Sequence, residues 1–405
     1  MKDQNRKNNG QKENGQEKNA QGDREWREAA KDRWEQQQPY IHWMAGVDGI
    51  GSRTMEKLIQ YAGSPKEVYE MTASETEKII SARKAAALEE ARKRGDALER
   101  YREMEEKGIR FYSLYHPRYP SRLRNIPDSP YGIYVEGELP EEGIPSVAVI
   151  GSRQCSGYGQ FMAELCGKEL AAAGIHIISG MARGIDGISQ RAALEAGGKI
   201  YAILGSGTDI CYPSENRSIY VGAKTSGAVI SEYPPGTSPS PLLFPRRNRI
   251  ISGLADLVLI IEARRRSGTL ITADMALEQG KDVYVVPGRI TDDLSQGCHQ
   301  MLKQGAGLFT SVKDMLEEAG LSVGIKGKAE NADSFFGQSV KNPPQDEEDQ
   351  VSRKVLAALD FYPRDIDCLM RETRMDYRLL VRTLSKLCME GKADRLTAGQ
   401  FIKKI

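Results

Sequence analysis

The chain has 405 residues, enough for two or three domains. At 40% hydrophobic, 28% charged and 7% aromatic, it has the composition of a soluble globular protein that carries some unpatterned sequence. Lys and Arg total 57 against 56 Asp and Glu, so the net charge of +1 excludes a uniformly basic coat but leaves room for a local basic site.

No run approaches the roughly 18 apolar residues of a membrane span, so no membrane partner is expected. Six cysteines, at positions 155, 166, 211, 298, 368 and 388, form no C-x-x-C pair. They read as small core residues in a reducing compartment. With only four histidines as well, neither a metal nor a cofactor is expected.

Residues 1–24 hold only Met1 and Ala20 as hydrophobic side chains. Such a segment cannot bury enough apolar surface to offset its chain entropy, and residues 1–37 are expected to form a disordered polar tail. The tail lacks the apolar stretch of a secretion signal, which points to a cytoplasmic protein. Residues 38–108 follow with a helical pattern. Within them the Gly49-Ile50-Gly51 turn leads into an apolar-periodic helix, similar to a helix-hairpin-helix or SAM-like element. Such a turn either presents backbone N–H groups to a DNA phosphate or only joins two packed helices.

Leu114–Asp128, rich in Pro and aromatics, reads as an ordered linker into the next domain. Over residues 109–320 short apolar runs alternate with helical patterns. The clearest strands are Val147–Ile150, Ile175–Ile178, Ile200–Leu204, Ala228–Ile230, Leu257–Ile261 and Val283–Val286. Near-continuous Val/Ile/Leu runs belong to strands buried on both faces, which predicts a doubly wound, Rossmann-like α/β domain around a parallel sheet. The helix starting near Tyr158 sets Phe161, Met162, Leu165, Cys166 and Leu170 on one stripe.

Residues 321–350 lose periodicity and read as a flexible linker. Residues 351–405 carry 12 basic and 7 acidic side chains. Their helix from about Asp376 has Leu380, Leu384, Leu387 and Cys388 on one face and Arg378, Arg382 and Lys386 on the other. Gly391 stops that helix, and a hairpin around Ala398-Gly399 completes the pattern of a winged helix.

In an open α/β sheet, ligands bind beyond the carboxyl ends of the strands, so the loops there carry the functional reading. The first, Gly151-Ser152-Arg153 through Ser156 to Gly159, is not the dinucleotide fingerprint G-x-G-x-x-G, and no acidic residue follows to hold a ribose. It reads as an anion cradle: a Gly/Ser loop at a helix start with Arg153 as its charge. The second contributes Gly180, Arg183, Gly184 and Asp186, the last as a helix cap or an arginine's partner. A third, Gly205–Asp209, precedes Tyr212-Pro213 and Asn216. A fourth ends in Phe244, Arg246, Arg247, Asn248 and Arg249, joining charge to a stacking surface. The fifth places Arg264, Arg265 and Arg266 before Ser267, Gly268 and Thr269 at a helix start. Each loop alone could be only a tight turn. Five on one edge, with several arginines, suit a multiply charged nucleic-acid backbone. No catalytic residue is identified: there is no P-loop lysine, nucleophile elbow or H-E-x-x-H.

Gly151-Ser-Arg153, Ser179-Gly-x-Ala-x-Gly-Ile-Asp186, Tyr212-Pro-x-x-Asn216, Ser231-Glu-Tyr-Pro-Pro-Gly236, Phe244-Pro-Arg-Arg-Asn-Arg-Ile-Ile251, Ser267-Gly-Thr-Leu-Ile-Thr272 and Val286-Pro-Gly288 together resemble the DNA-processing protein A (DprA/Smf) family. The resemblance implies a cytoplasmic, homodimeric single-stranded DNA-binding protein that shields incoming DNA and loads the RecA recombinase in natural transformation. It implies no established catalytic activity. The family's G-S-R arginine falls on Arg153, and its basic pocket around Arg183 and Arg246–Arg249. Two alternatives stand beside it. One is a nucleotide-processing enzyme like the phosphoribohydrolases, whose P-G-G-x-G-T-x-x-E loop is replaced here by Arg266-Ser-Gly-Thr-Leu-Ile-Thr272, without that glutamate. The other is a winged-helix regulator that binds duplex DNA.

Overall fold

The computed structural model describes residues 34–321, 347–396 and 399–404. Residues 1–33 of the expected tail, residues 322–346 of the expected linker and residues 397–398 of the expected hairpin lie outside them. The chain divides into two compact units: one holds the chain up to Glu142 with Ile203–Cys211 and Ala228–Leu254, the other Gly143–Ala202, Tyr212–Gly227 and Ala255 onward.

The first unit opens with α1 (Gln38–Ala45), α2 (Ser52–Ala62), α3 (Pro65–Glu70), α4 (Ala73–Thr76), α5 (Ala82–Lys93) and α6 (Ala97–Glu106). Local chemistry sets their starts. The Ser64 hydroxyl accepts from the Glu67 N–H ahead of Pro65, and Thr72 and Glu75 form a reciprocal capping box. The expected turn is present, with Gly49 at φ +83° and Gly51 capping α2. These helices do not form a separate core. Ile41, Met44, Met55, Leu58 and Leu88 pack with Phe111 of β1 (Arg110–Ser113), Tyr134 of β2 (Gly132–Gly137) and Tyr131 just before β2. Gln38 locks the junction, donating to Ser113 Oγ at 2.9 Å and accepting from its N–H at 3.2 Å. The boundary expected at residue 108 therefore runs through a shared core. Trp34, within the expected tail, stacks on Tyr115 at 4.7 Å. The expected linker holds α7 (Ser121–Arg124), with Tyr119 and Leu123 buried.

The strands that follow are β3 (Ser146–Ile150), β4 (His176–Ser179), β5 (Ile200–Leu204), β6 (Gly227–Ser231), β7 (Leu257–Ile260), β8 (Asp282–Val285) and β9 (Gly307–Leu308). The nine strands have the order β1-β2-β6-β5-β4-β3-β7-β8-β9. β5-β4-β3-β7-β8-β9 pair in parallel, as the apolar runs predict. The edge departs from a wholly parallel sheet: β1 pairs antiparallel with β2, and β2 with β6. The helices between are α8 (Gly157–Ala172), α9 (Ile185–Glu195), α10 (Arg217–Ser226), α11 (Leu243–Leu254), α12 (Gly268–Glu278), α13 (Gln296–Lys303) and α14 (Val312–Glu318). On α8 the predicted stripe buries Met162, Cys166 and Leu170, while Phe161 and Leu165 are half-buried.

The C-terminal domain is a winged helix: α15 (Glu347–Ala358), β10 (Arg364–Asp365), α16 (Ile366–Thr373), α17 (Tyr377–Met389), β11 (Ala393–Arg395) and β12 (Gln400–Lys403). Asp376 caps α17 by accepting from the Arg378 and Leu379 N–H groups. Leu380, Leu384 and Leu387 fill the core, with Arg378 and Arg382 exposed. The domain belongs to the second unit, and its Asp360–Tyr362 turn packs there. Tyr362 donates to Asp292 at 2.6 Å, the Arg289 guanidinium lies 3.3 Å from the Tyr362 ring centroid, and Phe361 meets Phe161 of α8 at 4.7 Å.

Candidate nucleic-acid interface

Reading β5-β4-β3-β7-β8 across the sheet gives the Rossmann order, with the strand order reversing between β3 and β7. That switch point is where an open α/β sheet leaves a crevice for ligand, and two of the arginine-bearing loops emerge there. The loop after β3 is fixed on every side. The Thr269 hydroxyl, in the first turn of α12, donates to Gly151 O at 3.2 Å. The Ile185 N–H donates to Ser152 O at 3.2 Å. Gly184, at φ +72°, comes so close that a Cβ there would lie 2.2 Å from Ser152 O, so only glycine fits. Arg153 stands exposed on this held backbone.

Ser156 has a different role from the phosphate contact expected of it. Its hydroxyl caps α8, accepting from the Gly159 N–H at 3.0 Å, and donates to Glu262 Oε1. Its N–H donates to Glu262 Oε2 at 2.9 Å. Glu262 is 3% exposed, and burial pushes its carboxyl above the usual carboxylate range against the two Ser156 bonds. A Cβ on Gly159 would lie 2.4 Å from that carboxylate, which explains the glycine.

The loop after β4 is braced from below. Asn216 donates to Met181 O and Ala182 O, both at 3.0 Å, and Asp186 accepts from the Gly180 N–H at 3.1 Å. Met181 is buried at φ +52°, a left-handed conformation costing on the order of 1 kcal/mol that this bracing maintains. Asp186 thus holds its own loop. Arg183 is exposed, and its guanidinium grips Glu215, with Nε 3.0 Å from Oε1. A bond from its own backbone N–H, followed by Arg183, holds the Glu215 carboxyl below its usual range. The loop after β7 exposes Arg264, Arg265, Arg266 and Gly268, and Ser267 caps α12 by accepting from the Thr269 N–H at 3.2 Å.

The other sequence-predicted residues lie in the first unit. Phe244 is half-buried against Gly205, where a Cβ would lie 2.8 Å from the ring. Arg246 is exposed and Asn248 half-buried. Arg247 and Arg249 correct the sequence reading, being 4% and 8% exposed. Arg247 lies on the inner face of α11 with Ile250, Ile251 and Leu254, and donates to Ile203 O at the end of β5 and to Asn248 Oδ1. Arg249 donates to Glu232 at 2.7 Å and to Asp128 O at 2.8 Å. Burial lowers its pKa and Glu232 more than offsets this, leaving it raised. Both arginines have structural work in place of an exposed phosphate contact.

No cluster of His, Cys, Asp or Glu suited to a metal occurs among the described residues, and no described helix is long and apolar enough to cross a membrane. The family model for DNA recombination-mediator protein A matches residues 110–320, just over half of the chain. The chain belongs to the DNA-processing protein A family. The DprA winged helix domain matches residues 339–399. The DNA processing protein DprA of Streptococcus pneumoniae is 43% identical over 209 residues, 51% of this chain and 73% of that protein. Protein Smf of Escherichia coli is 44% identical over 200 residues, 49% of this chain and 54% of that protein. The X-ray structure of DprA from Streptococcus pneumoniae superposes with a TM-score of 0.61 at 35% identity, covering 69% of this chain and 97% of that one.

Proposed function

We infer that this DprA-family chain binds single-stranded DNA in the cytoplasm through the phosphodiester backbone, with the switch-point loops of the second unit as its main contact. The supporting observation is the exposure of Arg153 on a loop fixed from three directions, bonded through Gly151 to the helix that follows exposed Arg264–Arg266. Gly151, Ser152, Gly180, Gly184, Ser267, Gly268 and Thr269 shape that surface, and Arg183 adds a charge that can exchange Glu215 for phosphate. Ser156 supports it from inside, through Glu262 and the start of α8. In the first unit, Arg246 supplies a further phosphate contact and Phe244 a stacking surface. Preference for single strands comes from the flexibility a strand needs to follow discrete loops; a duplex backbone is too stiff to do so.

Binding of this kind serves recombination, in keeping with the description of the matched family as a DNA recombination-mediator protein. In this reading a homodimer loads a RecA-type recombinase onto the bound strand. The protein acts by holding DNA rather than by turning it over. Labelled single-stranded DNA titrated with the protein against unlabelled duplex competitor tests the reading. Retained binding under excess duplex supports it, and displacement at equal nucleotide concentration overturns it. Sedimentation of the free protein tests the homodimer, and RecA filament formation on strands coated with single-strand-binding protein tests loading.

A further inference from the structure

We propose that Glu262 makes the switch-point site selective for a backbone phosphodiester over the terminal phosphate of a free nucleotide. In Rossmann-like proteins a nucleotide's phosphate sits on the N-terminus of the helix that follows the first parallel strand, where backbone N–H groups and the helix dipole favour an anion. Here that strand is β3 and that helix is α8. Its N-terminus already holds an anion belonging to the protein. Both oxygens of Glu262 accept from Ser156, one from the N–H at 2.9 Å and one from the hydroxyl, and that hydroxyl in turn takes the Gly159 N–H. Glycine at position 159 leaves the room the carboxylate occupies.

The inference rests on reading the Gly151–Ser156 loop as the phosphate-contacting element. An incoming phosphate is kept off the helix end and left to Arg153 and the outer loop backbone. A terminal phosphomonoester carries nearly two negative charges at neutral pH and would meet a fixed like charge at its natural seat, whereas a diester carries one and needs only the outer contacts. Glu262 is a specificity-determining residue that acts by filling a position, and it takes no part in a reaction.

The full-length protein and its Glu262→Ala variant are titrated by calorimetry with thymidine monophosphate and with inorganic phosphate. Single-stranded DNA is titrated in the same buffer. The expected result is weak monophosphate binding by the wild type and at least about tenfold tighter binding by the variant, the scale of one removed like charge. Should Glu262→Ala fail to fold, Glu262→Ser opens the same seat while keeping a partner for Ser156. A folded variant that gains no monophosphate affinity, or a wild type that already binds monophosphate as tightly, overturns the proposal. Failure of the wild type to bind single-stranded DNA would instead count against the function proposed above, and leaves the monophosphate comparison readable.

Discussion

An arginine that meets phosphate has to keep its guanidinium in water until DNA arrives, and an arginine in a packed interior has to find acceptors there. Arg153 is exposed, as the proposed contact requires, and Arg249 is buried and paired with Glu232. Replacing Arg249 by Ala leaves the half-buried Glu232 without its cation and Asp128 O without its donor, and should destabilise the fold by about 1–3 kcal/mol, measured as a loss in urea-unfolding free energy. Arg247→Ala should likewise act through stability, since it strips the donor from Ile203 O. A normal melt with lost DNA binding in Arg247→Ala would return that residue to the interface. The cluster of arginines at 246–249 read as one basic surface because charge was counted along the chain. Helical spacing carried the missing signal, because Arg247 lies three and four residues before Ile250 and Ile251 on α11. Glu262 carried one too, as a lone carboxylate between the buried Ile261 and Ala263.

At the scale of elements, the parallel strands β3 to β8 were legible to within a residue at their ends. Strands buried on both faces leave uninterrupted Val/Ile/Leu runs that no helix of that length resembles. β1, β2, β9 and β10 were not legible: β9 and β10 are two residues long, β1 and β2 mix aromatic and polar residues in place of an aliphatic run, and pairing with distant segments makes them strands. The same pairing gave the N-terminal helices a core shared with β1 and β2. His42 sits in that core with its Nδ1 2.9 Å from Tyr134 Oη. Burial, followed by Arg100, lowers its pKa from 6.5 to about 4. The unfolded chain therefore takes up a proton that the folded chain refuses between these values. Stability should be constant above the unfolded pKa and fall by about 3 kcal/mol as pH drops from 6.5 to 4. His42→Gln, which keeps a partner for Tyr134, should flatten the unfolding free energy over that window. An unchanged pH profile in the variant would show that His42 is not the responsible group.

Across the whole molecule, the second unit holds a parallel-sheet core and a winged helix, and an aromatic turn is among the contacts between them. Tyr362, Phe361 and Asp360 engage Asp292, Phe161 and Arg289, the last pair at 3.5 Å. Phe161 had been assigned to the α8 core stripe, and it is half-buried because this turn covers it. A Phe361→Ala/Tyr362→Ala double variant should free the winged helix, seen as faster tryptic release of a C-terminal fragment with the core melt unchanged. Release at the wild-type rate would mean that other contacts hold the domain. The expected winged helix was readable from its amphipathic α17, while its docking was not, since nothing in local sequence shows which distant loop a Phe-Tyr pair will meet.

A salt series on wild type and Arg153→Ala decides whether the switch-point loop carrying Arg153 holds a DNA backbone. The variant should bind every strand sequence more weakly, with a slope of log affinity against log salt shallower by about one phosphate contact, at equal thermal stability. Affinity and slope both unchanged in a folded Arg153→Ala protein would contradict it and place the DNA elsewhere on the molecule.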